Sequence, residues 1–154
     1  MRKTGCLFLM MVLATATQAA AAGSEQYVPA ELKGKIVTNS KPIELPSAVK
    51  GFVANLRKQD RESFKKNEEG KWQIYFVAFF KTPSPATSLG IVVLDHKKEA
   101  VAVAEVAVEK GQRTLAAEIT VDSVEAPGKP HLMQVYYVRG GKPAVLAEKK
   151  IILK

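Results

Sequence analysis

The segment Lys71–Lys81 reads KWQIYFVAFFK, and it constrains the fold more than any other part of the chain. Read as a strand, it places Trp72, Ile74, Phe76, Ala78 and Phe80 on one face and Tyr75, Val77 and Phe79 on the other. A strand that is apolar on both faces needs cover on both. The chain must therefore build a layer above this strand and another below it.

One cover is expected from a helix. In Pro46–Gln59 (PSAVKGFVANLRKQ), Val49, Phe52, Val53 and Leu56 recur at i, i+3, i+4 and i+7, so they share one face. Pro46 suits the first turn, where its missing N–H costs nothing. Asp60–Lys66 reads two ways, as a continuation of the helix or as a strand, Ser63–Lys66, entering a hairpin through Asn67–Gly70.

The other cover is expected from further strands. Ser88–Asp95 is β-branched and follows the proline-broken turn Thr82–Thr87. Thr114–Val124 alternates cleanly, with Leu115, Ala117, Ile119 and Val121 on the dry side. Its wet side carries Thr114, Glu118, Thr120 and Asp122. His131–Val138 and Pro143–Leu153 are joined by Arg139–Lys142, whose Gly140-Gly141 pair suits a tight hairpin. A further strand is expected from Ile36–Leu45 or from the region just before Trp72.

Glu99–Lys110 (EAVAVAEVAVEK) has a helix-like composition, but its valines at 101, 103, 106 and 108 do not form a helical stripe. Period two holds on either side of Ala104-Glu105 and slips once between them, as in a strand carrying a β-bulge. The pattern predicts a mainly β protein, an antiparallel sandwich of six or seven strands with one N-terminal amphipathic helix. Segment lengths and short turns resemble those of an immunoglobulin-like sandwich. Tyr136, in the penultimate strand after a Pro-Gly loop, resembles the tyrosine corner of such folds. The architecture resembles that of small exported β-sandwich proteins of bacterial envelopes.

The N-terminus points to export. Arg2 and Lys3 precede the apolar run Cys6–Leu13 and the small-residue segment ending at Ala20-x-Ala22, the pattern of a secretory leader cleaved near Ala22. The expected organisation is a signal peptide at 1–22, a lead-in at 23–45 and a helix-plus-sandwich domain at 46–154. Cys6 is the only cysteine and falls in the leader, so the processed chain has no thiol chemistry. Losing Arg2 and Lys3 lowers the formal net charge from +8 to +6. Expected partners are an envelope protein or an anionic or polysaccharide surface component, with no nucleic acid and no transmembrane segment. The expected location is the periplasm or the cell exterior.

Catalytic and ligand motifs are sparse. His96 and His131 are the only histidines, and no HExxH, GxSxG or phosphate-cradling loop occurs. In an immunoglobulin-like order the end of Ser88–Asp95 meets the start of His131–Val138. Asp95, His96, Glu125 and His131 then share a pole, where zinc or copper could bind. The plainer reading makes them turn residues facing water. Tyr75, Phe79 and Tyr137 are candidates for an exposed aromatic platform binding a sugar or a protein. Lys50, Arg57, Lys58, Arg61 and Lys65 would line a helix continued through Lys65, either as a solvated flank or as a membrane-surface face. The function expected on balance is a binding or structural module without a catalytic site or cofactor. A small metal-dependent protein and a carbohydrate binder are the alternatives.

Overall fold

The computed structural model describes residues 27–154, a mainly β domain with one short helix. The expected leader and its cleavage site lie outside the described residues. After a 3-10 turn at Ala30–Leu32, the elements are β1 (Ile36–Asn39), α1 (Phe52–Gln59), β2 (Ser63–Phe64) and β3 (Trp72–Phe79). Then follow β4 (Ser88–Leu94), β5 (Ala100–Ala107), β6 (Thr114–Val121), β7 (Pro130–Arg139) and β8 (Lys142–Leu153).

Two sheets face each other across an apolar core. One is three-stranded, in the order β1-β3-β6, and the other five-stranded, in the order β2-β8-β7-β4-β5. Among the described residues, no helix is long and apolar enough to cross a membrane.

Strand β3 is dry on both sides, as its composition requires. Trp72, Ile74, Phe76, Ala78 and Phe80 enter the core between the sheets, against residues such as Leu89, Ile91, Met133 and Ile151. Val77 and Phe79 face outward into a second core with Leu32, Val37 and Leu56. Helix α1 closes it, its Phe52 ring packing edge-on to Phe79 with centroids 6.3 Å apart and to Tyr27 at 5.8 Å. Burying Leu56 completely is worth roughly 1.5–3 kcal/mol of transfer free energy.

Three expectations are corrected and one, the extra strand, is met. The helix begins at Phe52, because Gly51 adopts φ 78° and a left-handed residue cannot continue a right-handed helix backwards. Pro46 is thus outside it, and Val49 is 63% exposed instead of packed. The lead-in at 23–45 is not separate from the sandwich: Ile36–Asn39 pairs along Tyr75–Ala78 of β3. Both expected sources of an extra strand are used, since Ser63–Phe64 pairs parallel with Ile152–Leu153. The turn Asn67–Gly70 then carries the chain to the other sheet, with Asn67 Oδ1 accepting from the Glu69 and Lys71 N–H groups. Finally, β5 is a strand with a bulge, but the slip lies nearer the start of the strand than the valines suggest. Val93 pairs with Ala102 and Leu94 with Ala100, leaving Val101 as the extra residue. Beyond it, Ala104, Val106 and Val108 face the core while Val103 is 53% exposed.

A lysine falls on the core-facing side of β8, between Ala147 and Ile151, and it has a partner. Lys149 points inward at the rim of the core, and its ammonium pairs with Asp60. Asp60 also accepts from the Thr38 N–H at 2.9 Å, while the Arg61 N–H donates to Thr38 O at 2.7 Å. Residues 60–61 therefore cap the free edge of β1 and tie it to β8 in the opposite sheet. Lys149→Ala, which leaves Asp60 only its bond from the Thr38 N–H, is expected to cost roughly 1–2 kcal/mol. Lys149→Met combined with Asp60→Asn should cost less than the single alanine change. Urea denaturation of the three proteins measures both values.

Candidate functional site

The histidine pole exists, but its members do not converge. Leu94 pairs with Leu132, so Asp95 at the end of β4 and His131 at the start of β7 are adjacent. Asp95 closes the β4–β5 turn, its Oδ1 accepting from the Lys97 N–H at 2.7 Å and the Glu99 N–H at 2.9 Å. These bonds, the Glu99 N–H foremost, hold its carboxyl below the usual range against the opposing effect of burial. His96 is exposed in the turn. Glu125 pairs with Lys97 at 2.7 Å, which lowers the Glu125 carboxyl and raises the Lys97 ammonium.

His131 departs from the reading as a turn residue. It is 2% exposed and sits on the core-facing side of β7 with Met133 and Val135. Its Nδ1 lies 2.9 Å from Lys129 O, and since a carbonyl only accepts, the proton is on Nδ1. Nε2 is left buried without a partner. Among the described residues, no three His, Cys, Asp or Glu side chains are placed to hold a metal ion.

The three aromatic candidates do not form one platform. Phe79 is buried under α1, and Tyr137 points inward and packs on the rim of the main core. Tyr75 lies on the same outer face as Phe79 but is partly exposed, paired across strands with Glu118. Burial raises its hydroxyl above the usual phenol range, and the Glu118 charge raises it further. The basic residues do not share a helical face either. Helix α1 stops at Gln59, Arg57 pairs with Glu31, and the Arg61 guanidinium turns back to the Lys58 and Asp60 carbonyls.

The feature missed in the sequence lies on the outer face of the five-stranded sheet. Strand β5 ends that sheet and pairs only with β4. Beside it runs an open groove of about 700 Å³ lined by Ser88, Gly90, Val103, Glu105, Tyr136 and Val138. Tyr136 lies across Gly90: a Cβ at Gly90 would meet the ring at 2.4 Å. Tyr136 therefore packs over a neighbouring strand and is not a corner tyrosine. Val138 is 65% exposed, Val103 is exposed as well, and Ser88 Oγ donates to Glu105. The mid-strand glycine was the available signal, since such a residue often marks a close approach. No protein-family model matches this chain, and a search of curated proteins finds no match either.

Two outcomes are expected at the β4–β5 turn. Lys98 is the only non-glycine residue with positive φ among the described residues, at 65°, so Lys98→Gly should stabilise the domain by about 0.5–1 kcal/mol. Asp95 has a folded pKa below its unfolded value, so its contribution is complete above that unfolded value. It is lost as pH falls through the folded one. The stability gap between wild type and Asp95→Asn should therefore be larger at pH 7 than at pH 3 (roughly one unit below a free Asp). Urea midpoints at the two pH values measure it.

Proposed function

We propose that this protein is an exported, non-catalytic immunoglobulin-like module of a bacterial envelope that recognises an extended polypeptide by strand addition to β5. The observation that carries the reading is the combination of a terminal strand, β5, with an open groove of mixed polar and apolar lining on the adjoining sheet face. An incoming segment would add main-chain hydrogen bonds along the side of β5 that faces away from β4. Its alternate side chains would lie beside Val103 and Glu105 on the outer face of β5. Glu105 favours a basic residue in that segment.

The strand order supports the immunoglobulin-like part of the proposal. Taking β1, β3, β4, β5, β6, β7 and β8 as A, B, C, C′, E, F and G, the sheets read A-B-E and C′-C-F-G. That order is expected of such a sandwich when its fourth strand extends the C-F-G sheet. The leader pattern at Arg2–Ala22 supports export. Engagement of Asp95 and Glu125 in turn and ion-pair contacts supports a structural reading of the histidine pole.

A photo-crosslinking amino acid at Val103 in the intact cell is expected to capture one protein, and the same group at Lys142 should not. Val138→Lys, which charges the groove without touching β5, should reduce that capture about tenfold or more. Equal capture from both positions would count against recognition at β5. A mature N-terminus that retains Arg2 would count against export.

A further inference from the structure

The opposite sheet carries a second concavity, unrelated to the β5 edge. On the outer face of β3 and β6, a groove of about 300 Å³ is lined by Pro42, Ile43, Tyr75, Val77, Ala116 and Glu118. Its size falls at the lower end of small-molecule sites. Sequence and local structure explain why it stays open. Helix α1 covers the upper part of this face, over Val77 and Phe79, but stops at Gln59. Ala116, the register partner of Val77, is too small to fill the space below.

The groove has a held wall. The Gln59 side chain bonds the Glu44 backbone twice, donating from Nε2 to Glu44 O at 2.9 Å and accepting at Oε1 from the Glu44 N–H at 3.0 Å. Asn39 Nδ2 donates to Gln59 O at 2.7 Å. This pins the loop carrying Pro42 and Ile43 beside the sheet, while Ile43 also packs on the second core.

The groove has one charged end. Glu118 is half-buried and accepts from Gln73 Nε2 at 3.3 Å and from the Tyr75 hydroxyl. No lysine or arginine among the described residues pairs with it, and the neighbouring Lys71 is engaged by Asp122 at 3.1 Å. An apolar trough ending in an unneutralised carboxylate and an aromatic ring complements one ligand chemistry. A cation gains from the carboxylate and from the ring, and an apolar body gains from Pro42, Ile43, Val77 and Ala116.

We infer that this groove binds a small organic cation with an apolar body, a primary or quaternary ammonium, with its charge at Glu118 and Tyr75. The site stands on a different sheet from β5, so it holds or fails independently of strand addition.

Titration of the ¹⁵N-labelled protein with phenethylammonium tests it, with 2-phenylethanol and phenylacetate as controls of matched shape. The ammonium is expected to shift the amides of Tyr75, Val77, Ala116 and Glu118 saturably, with a Kd on the order of 1 mM or tighter. The alcohol should bind about tenfold more weakly and the carboxylate should not bind. Glu118→Gln should reduce the affinity for the ammonium to that for the alcohol. Ala116→Leu should fill the trough and abolish the shifts. If that variant loses its dispersed spectrum, Glu118→Gln decides alone. Equal affinity for ammonium and alcohol, unchanged affinity in Glu118→Gln, or shifts confined to other residues would overturn the inference. Binding of a lysine-bearing peptide in the absence of any binding of the free amine would overturn it as well.

Discussion

Everything in this domain is arranged around a strand that cannot touch water on either side. β3 turns Trp72, Ile74 and Phe76 into the space between the sheets and Val77 and Phe79 away from it. The first set requires a facing sheet. The second requires a lid, and α1 with the 3-10 turn supplies it through Leu56, Phe52 and Leu32. The lid is only eight residues long, so it covers only part of the outer face. Where it ends, the face becomes polar, and Tyr75, Gln73 and Glu118 begin. The limited length of one helix thus decides both where the second core stops and where a ligand-sized groove opens.

The two sheets treat their margins differently. The free side of β1 is closed by residues 60–61, with Thr38 bonded through its N–H, its carbonyl and its hydroxyl. The same segment reaches Lys149 across the sandwich, so closing the edge and joining the sheets are one structural event. β5 ends the other sheet, with β4 as its strand partner among the described residues. It carries a bulge at Val101 and a single acidic residue, Glu105, devices that discourage indiscriminate pairing without blocking a matched partner. The contrast makes β5 the natural place to look for recognition.

The β segments were legible because period two survives wherever one face is dry. Thr114–Val121, with Leu115, Ile119 and Val121 buried, follows the alternation residue for residue. The need for two covers over β3 was legible for the same reason. Local pattern failed where backbone geometry overrode hydrophobicity. Valine was weighted above alanine in β5, yet the bulge sends Val103 outward and Ala104 inward. The stripe from Val49 to Leu56 is helical in spacing, but the left-handed turn at Gly51 cuts it short. At the histidine pole, strand neighbours were foreseen and burial was not. His131 begins a strand, and a residue at that position faces the core or the solvent according to register alone. The groove at Tyr136 depends on a tertiary contact between Gly90 and a residue far along the chain, which no local window contains.

The position of β8 has a kinetic consequence. It is the last strand among the described residues, yet it lies inside its sheet, flanked by β7 and β2, and it bridges to Lys35. A polypeptide emerging N-terminus first therefore presents the oily sides of β3 long before the strand that completes the sheet exists. Such a topology favours slow, late closure and a prolonged exposed interval. The core-facing side of β3 is fully covered only once Lys142–Leu153 has been added to the sheet.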